Sequence, residues 1–341
     1  MTSNTAAWIT AAKAKPFEIK PYPLSTPGAN QILIKNHALA VNPIDGKLQA
    51  LAILPLKYPT ILGEDVAGKV IAVGSDVTLF KTGDRVIGNA AGFGTKRDED
   101  KGFQAYTILE TNMACRIPDT ISFEQAVVLP LAVSTASSGL FNPDFLNLQL
   151  PTEPAQSPTD KSLLVWGGAS SVGSCAIQLA VAAGYEVVTT ASPKNFEYVK
   201  KLGAQYVFDY NSTSVVSDIV TTLKGKVIAG AFDAVGGAAW APTVAVVEQS
   251  EGVKFVATVT PGFPDPPDGI SMRQVYSLSI MDNHVGKAVY EDFLPNALQA
   301  GSFIPAPEPL VAGRGLSSIQ TAVNLQREGT SAQKVVVVLD T

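Results

Sequence analysis

The sequence predicts an α/β chain whose central part folds as a doubly wound parallel sheet. The first observation is an apolar run at residues 163–166 that ends at Gly167 and Gly168, after which apolar residues recur with helical period from Val172. The second is that strand-like and helix-like segments alternate from Lys161 onwards, as in parallel sheets with helices on both faces. The third is that the N-terminal third carries short apolar runs between Pro, Gly and Asp turn signals, so we expect it to be β-rich.

The expected elements follow one another in a regular order. The expected strands cover residues 31–35, 67–73, 85–88, 162–166, 186–191, 206–210, 231–235, 254–259 and 334–339. The expected helices of the central part cover residues 172–183, 195–202 and 215–223. Residues 142–161 contain four prolines, so we expect an exposed excursion without a helix there. The charged stretch 97–101 is expected to be a solvated loop.

Size and composition limit the class of protein. A chain of 341 residues, 46% hydrophobic and 16% charged, suits two compact domains and is not typical of disorder. The net charge of −5 provides no basic footprint for nucleic acid. The two cysteines, Cys115 and Cys175, form no pair with metal-ligand spacing. No apolar run reaches membrane-spanning length and the first residues do not resemble a signal peptide, so we expect a cytoplasmic protein that binds no membrane.

Residues 163–173 have the order strand, Gly-rich turn and helix, which presents backbone N–H groups and a helix N-terminus to a pyrophosphate. Gly167 and Gly168 let the chain turn without a Cβ clash, and Gly173 lets helix and strand pack closely. Ser170 stands where a strict G-x-G-x-x-G motif has glycine, and the alternative is a Gly-Ser turn between two buried elements. The cofactor-binding residues expected here are Gly168, Ser170, Ser171, Val172 and Gly173.

The end of the next strand indicates which dinucleotide binds. A site for NAD carries Asp or Glu there, roughly 20 residues after the glycines, to hold the ribose 2′-hydroxyl. Residues 191–195 read Ala-Ser-Pro-Lys-Asn and contain no acid. Lys194 attracts a 2′-phosphate and Ser192 can donate a hydrogen bond to it, so NADPH fits better than NADH, with Asn195 in the same turn.

Three later strand ends complete the expected cofactor site. Tyr210 is placed to cover the adenine or to touch the 2′-phosphate, and an ordinary aromatic residue at a strand end is the alternative. We also expect the cofactor to contact Val235, Thr258 and Val259, at the ends of the strands over 231–235 and 254–259.

Seven stretches along nearly the whole chain carry a family resemblance. They are residues 41–45, 63–68, 83–86, 167–173, 232–237, 313–316 and 325–329. In this order they resemble the medium-chain dehydrogenase/reductase superfamily, in its zinc-independent quinone and enoyl reductase branch. Asn42-Pro43-Ile44-Asp45-Gly46-Lys47 and the Trp-Gly-Gly-Ala-Ser-Ser-Val-Gly turn are similar to fungal stand-alone enoyl reductases, some of which act beside polyketide synthases.

The resemblance implies a split first domain. A GroES-like β-barrel lobe is expected over residues 1–132, a Rossmann NADPH-binding domain over 133–300, and a return segment over 301–341 that completes the lobe. The active site is then expected where the domains meet. Relatives that dimerise do so through an edge strand, here expected at 270–281, but three prolines at 264–267 remove donors beside it, so a monomer is favoured over a homodimer.

The positions that hold zinc in zinc-dependent relatives differ in this chain. Those relatives carry a catalytic Cys where Asn42 stands and a His before the Glu of a Gly-His-Glu motif, whereas Gly63 is here followed directly by Glu64. Two cysteines and two dispersed histidines cannot supply the ligands of both zinc sites. The sequence therefore predicts no metal site.

The resemblance also implies which residues face the nicotinamide. These are Asn42, Asp45 and Lys47, with Thr135 near the substrate carbonyl; the expected catalytic residues are Lys47, Thr135 and Asn42. For Lys47 the alternative is a solvated turn lysine, and for Thr135 a hydroxyl bonded back to its own helix. Asp45 is expected to orient backbone or ribose, and Tyr58 is a candidate proton donor or simply the start of a Tyr-Pro turn.

Without a Lewis acid, hydride transfer to a simple ketone lacks polarisation, whereas a conjugated alkene needs less help because charge delocalises into an enolate. The sequence thus predicts an NADPH-dependent enoyl reductase that acts on an enone, enal or enoyl thioester, free or delivered by an acyl carrier domain of a polyketide synthase. The alternatives are an NADPH:quinone reductase, a non-catalytic NADPH-binding protein and a scaffold subunit.

Overall fold

A computed structural model describes residues 3–339 of the chain, which form seventeen strands and eleven α-helices. The strands are β1 (Asn4–Ile9), β2 (Glu18–Tyr22), β3 (Gln31–Ala40), β4 (Thr60–Ile61), β5 (Asp65–Val73), β6 (Arg85–Asn89), β7 (Tyr106–Glu110), β8 (Ala114–Arg116), β9 (Lys161–Trp166), β10 (Glu186–Ala191), β11 (Tyr206–Asp209), β12 (Val227–Asp233), β13 (Glu251–Gly252), β14 (Phe255–Thr258), β15 (Ser271–Gln274), β16 (Glu308–Arg314) and β17 (Gln333–Val338).

The α-helices are α1 (Pro43–Leu51), α2 (Gly92–Thr95), α3 (Phe123–Ala126), α4 (Pro130–Phe141), α5 (Ser171–Ala182), α6 (Phe196–Lys201), α7 (Val215–Leu223), α8 (Trp240–Gln249), α9 (His284–Lys287), α10 (Leu294–Ala300) and α11 (Ile319–Glu328). A π-helical stretch, Ala288–Phe293, joins α9 to α10. No helix among these residues is long and apolar enough to cross a membrane.

The chain divides into two compact units. The first contains the residues up to Leu131 and those from Pro305 onwards, and the second runs from Ala132 to Ile304. The domain boundaries predicted from the sequence lie after residues 132 and 300.

The first unit is built on β-sheets. Its larger sheet has the order β16-β17-β3-β5-β6-β8, with β7 also paired to β3, and β2-β1-β4 form a smaller sheet. β17 from the end of the chain pairs with β3 in antiparallel register, Val337 opposite Leu39. Buried apolar residues such as Ile34, Leu48 and Val337 form one core from both chain segments.

The second unit is the doubly wound sheet. Its parallel strands have the order β11-β10-β9-β12-β14-β15, with β13 paired to β12, so the chain reverses its winding beside β9. The strand-and-helix alternation predicted this arrangement, and the α/β class with a GroES-like lobe and a Rossmann-type sheet is confirmed. Ligands bind such sheets at the carboxyl ends of the strands next to the reversal.

Two local expectations are wrong. The edge strand expected over 270–281 is only β15, because the chain turns into a 3-10 helix at Ser277–Ile280. The excursion over 142–161 is free of helix in the structure, but it is not simply exposed, since Leu146 and Leu148 are buried. Gly230 makes room for Leu146, because a Cβ at Gly230 would lie 2.3 Å from its Cδ2.

The charged stretch 97–101 is also not a solvated loop. Asp100 and Lys101 are buried, Arg97 binds Asp100 through Nε and a terminal nitrogen at 2.8 and 3.0 Å, and Lys101 Nζ lies 2.7 Å from Asp98 Oδ1. Lys101 also donates to Thr60 Oγ1 at 2.5 Å. These charges stay buried because each has an opposite charge or hydrogen-bond partner in place.

Candidate functional site

The turn after β9 is shaped by three glycines. Gly167 has a φ of +84°, a conformation that favours glycine. A Cβ on Gly173 would lie 2.2 Å from the Gly167 carbonyl oxygen, and one on Gly168 would lie 2.2 Å from Thr189 Oγ1. The three glycines therefore let helix α5 start in close contact with the strand end.

Ser170 fixes the start of α5. Its hydroxyl accepts a hydrogen bond from the Gly173 N–H at 3.0 Å and donates to the Gly167 carbonyl at 2.9 Å. The N–H groups of Ser171 and Val172 belong to the first turn and have no acceptor within the helix. They lie at the positive end of a 12-residue helix, which suits a pyrophosphate.

The carboxyl edge of the sheet brings together four of the expected cofactor-binding residues, namely Ser192, Lys194, Asn195 and Tyr210. Ser192 follows β10, and Tyr210 follows Asp209, whose Cα pairs with that of Ala191 in the neighbouring strand. Asn195 Nδ2 donates to Ser192 Oγ at 3.1 Å, which ties the turn together, while Lys194 and Tyr210 are exposed. The neighbouring ends of β10 and β11 thus present a hydroxyl, an ammonium and an aromatic ring.

Asp233 organises the ends of β12 and β14. Its buried carboxylate accepts hydrogen bonds from the N–H groups of Val235 and Gly236 and from Thr258 Oγ1, the last at 2.7 Å. Thr258 Oγ1 also accepts from Trp240 Nε1, so its hydroxyl holds the strand ends together. Val235 is exposed and Val259 half-buried at the same edge.

The remaining expected residue of the second unit, Thr135, lies half-buried in α4, two turns from Phe141 at the end of that helix.

In the first unit, Asn42 and Asp45 are buried at the start of α1, while Lys47 is exposed on the same helix. The Asp45 carboxylate accepts from the N–H groups of Asn42 at 2.8 Å and Gly63 at 3.1 Å, so it orients backbone.

A buried ion pair lies behind Asn42. Lys334 Nζ is 2.9 Å from Asp65 Oδ2 and also donates to Asn42 Oδ1. Asn42 Nδ2 donates to the same Asp65 oxygen at 2.8 Å, and Asp65 Oδ1 accepts from the Leu131 N–H at 2.6 Å. The Asp65 carboxylate therefore connects strand β17, the start of α1 and the start of α4.

Two further carboxyl groups belong to this cluster. Burial raises the pKa of Asp45 to about 7, although its two backbone hydrogen bonds act in the opposite direction. Burial, together with the charges of Asp45 and Asp65, also raises the pKa of Glu64 well above its usual value. Glu64 Oε2 and both side-chain polar atoms of Asn89 are buried without a hydrogen-bond partner in the described chain.

The residues at this position do not fit a zinc ion. Within residues 3–339, no group of three or more His, Cys, Asp and Glu side chains could hold a metal ion. The Lys334 ammonium contacts Asn42 and Asp65, where it supplies a positive charge of its own. Zinc needs a set of N, S or O ligands free to bind it.

The sequence reasoning missed Asp65, Asn89, Lys334 and Asp233 as members of these networks. A usable signal was present, because Asp65 and Lys334 each begin a run that is otherwise largely apolar. Charged residues are almost never fully buried unless paired, so two opposite charges in buried strands indicate a buried ion pair.

The parallel sheet, the turn at its reversal point and the helix N-terminus are typical of a dinucleotide-binding domain. Residues 28–119 match the family described as alcohol dehydrogenase GroES-like domain, and residues 171–299 match that described as zinc-binding dehydrogenase. The chain belongs to the medium-chain dehydrogenase/reductase superfamily, whose members bind nicotinamide cofactors, and is an oxidoreductase of that family.

Three comparisons place it more closely. It is 57% identical to the zinc-binding alcohol dehydrogenase domain-containing protein cipB of Emericella nidulans, covering 99% of this chain and 98% of that protein. It is 38% identical to the trans-enoyl reductase himH of Aspergillus japonicus, covering 98% and 97%. The crystal structure of CurK enoyl reductase shares the fold, with a TM-score of 0.76, 20% identity and 99% of each chain covered.

Proposed function

We propose that this protein is a zinc-independent, NADPH-dependent enoyl reductase that transfers hydride to the β-carbon of a conjugated carbonyl compound. The observation that carries the proposal is the buried Lys334 ammonium, which contacts Asn42 and Asp65. It supplies the positive charge in a site whose described residues include no set of metal ligands. A reductase without a Lewis acid is best suited to an acceptor that spreads its own developing charge.

The residues present fit NADPH. The glycines at 167, 168 and 173 let α5 begin directly beside the end of β9, and the N–H groups of Ser171 and Val172 in its first turn would bind the pyrophosphate. Lys194 and Ser192 would hold the 2′-phosphate, with Tyr210 against the adenine end. When bound, this cofactor supplies a hydride from its nicotinamide ring.

The chain's own residues would position the acceptor. Lys47 is the exposed cation on α1 and would donate to the substrate carbonyl or to the cofactor ribose. Asn42 uses one N–H of its amide on Asp65 and keeps a second N–H for a ligand. Thr135 would contribute a hydroxyl near the carbonyl, where a donor stabilises the enolate oxygen.

The similarity to a protein named as a trans-enoyl reductase supports an alkene acceptor. We include in the proposal two forms of the substrate, one delivered by an acyl carrier domain and the other a free enone or enal. We further propose that the protein acts as a monomer, since β15 is a strand of four residues with prolines just before it.

The test is oxidation of NADPH, followed by its absorbance, with enals, enones, enoyl thioesters and quinones. The protein is dialysed against a chelator first, and its zinc content is measured. Turnover of an alkene by zinc-free protein is the expected result. Turnover only with quinones, or only after zinc is added, contradicts the proposal, and NADPH binding without any turnover indicates a non-catalytic protein.

A further inference from the structure

Glu64 is a buried carboxyl group without a cation of its own. Its residue is 5% exposed, and Oε2 has no hydrogen-bond partner within the described residues. Lys334 faces the same cluster but is engaged with Asp65 and Asn42. Glu64 therefore differs from Asp65, whose two oxygens accept three hydrogen bonds or ion-pair contacts between them.

Asn89 lies on the neighbouring strand and is also unsatisfied. The Cα of Asn89 pairs with that of Asp65 in the antiparallel register of β5 and β6, and the Glu64 carbonyl accepts from the Ala90 N–H at 2.7 Å. Both polar atoms of the Asn89 side chain are buried without a partner in residues 3–339. Such groups are costly to bury, and a native structure that retains them often uses them.

The charge balance of the cluster favours a protonated Glu64. Asp45 from α1, Glu64 and Asp65 beside β5, and Lys334 from β17 face one another, three acids with one ammonium. Three buried carboxylates cannot all be ionised beside one cation without a large cost. Asp65 is held by donors and Asp45 accepts two N–H groups, so the proton belongs on Glu64.

We propose that Glu64 donates the proton that the α-carbon of the substrate takes up, an inference that rests on the proposed function. Hydride adds to the β-carbon, and the electrons of the C=C bond move into the enolate. The O–H bond of Glu64 then breaks as the α-carbon–H bond forms, which leaves a saturated carbonyl compound, oxidised cofactor and a Glu64 carboxylate. One proton from solvent restores the acid.

The placement of Glu64 supports this role. Gly63 binds Asp45 at the start of α1, and Asp65 binds Asn42 there, so the tripeptide 63–65 lies against the helix that carries Asn42 and Lys47. Both residues are among those that the family resemblance places beside the nicotinamide. Positioned acids of this kind contribute about 10² to 10⁴ in rate.

The experiment uses an alkene acceptor with a methyl group on its α-carbon and measures the configuration of the product by chiral chromatography. Glu64→Gln is expected to lower kcat about 100-fold and to give a mixture of both configurations, because water then delivers the proton from either side. Its dissociation constant for NADPH should stay near that of the unsubstituted protein. Glu64→Asp, which keeps an acid, is expected to retain a single configuration with a smaller loss.

Two variants act as controls. Asp100→Asn removes another buried carboxylate of the first unit, one that binds Arg97, and should leave the configuration unchanged. Tyr58→Phe tests the other candidate donor, whose hydroxyl is buried and unpaired in the described chain.

Three outcomes overturn the role of Glu64. They are an unchanged configuration and rate in Glu64→Gln, a mixture produced by Tyr58→Phe instead, and a mixture produced equally by Asp100→Asn. Failure of the unsubstituted protein to reduce any alkene is a different result, because it overturns the proposed function itself.

Discussion

Lys194 is the residue on which the choice of cofactor depends. It is exposed at the end of β10, beside Ser192 and without an acid in residues 191–195. We predict that Lys194→Ala weakens NADPH binding about tenfold, since a charge-assisted hydrogen bond to phosphate contributes about 1.5 to 3 kcal/mol and exposure reduces it. NADH binding should change little, and titration calorimetry with both cofactors measures the difference.

The matched control for this prediction is Lys201→Ala, which removes an exposed lysine at the end of α6. Its effect on both cofactors should be small and equal, because it tests only the general charge of the surface. If Lys194→Ala weakened NADPH and NADH binding by the same factor, the ammonium would not contact the 2′-phosphate.

Lys334 is the residue that holds the buried cluster together. We predict that Lys334→Met lowers the free energy of unfolding by about 3 to 5 kcal/mol, because it leaves Asp65 and Asn42 without their cation in a buried site. Lys20→Met is the control, since Lys20 forms an exposed ion pair with Glu18 at 2.6 Å. That change should cost far less, because solvent screens an exposed ion pair. Urea unfolding compares them, and equal losses would contradict the prediction.

At the scale of elements, the turn between β9 and α5 combines a steric and a functional requirement. Gly173→Ala would bring a Cβ within 2.2 Å of the Gly167 carbonyl oxygen, which is backbone that cannot easily move. We predict a loss of about 1 to 3 kcal/mol in stability, with weaker NADPH binding because the helix start moves away from the strand. Thermal unfolding and calorimetry measure the two effects.

Ser171→Ala is the control for the turn. It keeps the backbone N–H that we expect to bind the pyrophosphate and removes only a hydroxyl. Stability and NADPH binding should therefore remain close to those of the unsubstituted protein. A large loss of binding in Ser171→Ala, with little loss in Gly173→Ala, would show that side chains rather than backbone hold the phosphate.

The elements themselves could be predicted where periodicity and length agreed. The strand at Glu186–Ala191 and the helix at Val215–Leu223 have the predicted bounds. The stretch 97–101 could not be predicted, because its charges are buried by partners as distant in sequence as Thr60, and local polarity contains no information about such partners. A solvated loop and a buried ion-pair network can have the same local sequence.

At the scale of the whole molecule, the doubly wound sheet and the family could be predicted, because the turn at 167–173 and the alternation of elements are local patterns. The buried cluster could not be assembled from the sequence. It joins Asn42, Asp65 and Lys334, and the last lies at the other end of the chain. Only the pairing of β17 with β3 brings that lysine to α1 and β5.

That cluster gives the molecule a pH-dependent stability. The folded-state pKa values of Asp45, about 7, and of Glu64 lie above those of the unfolded chain. A carboxyl group whose pKa is higher in the folded than in the unfolded protein stabilises the fold. This stabilisation is fully present below the unfolded-state pKa, near 4, and is lost as the pH rises through the folded-state pKa. Stability should therefore fall as the pH rises from about 4 to about 7.

The size of this loss of stability indicates how much each of the two carboxyl groups contributes. Over this range Asp45 should contribute about 4 kcal/mol at most, and Glu64 changes the stability in the same direction. We predict that Glu64→Gln reduces this dependence, because an amide has no proton to lose as the pH rises. Glu110→Gln, a half-buried carboxylate that accepts from Gln31, is the control and should keep the dependence of the unsubstituted protein. Urea unfolding at several pH values measures it, and an equal slope in Glu64→Gln would mean that Glu64 is already ionised in the folded protein.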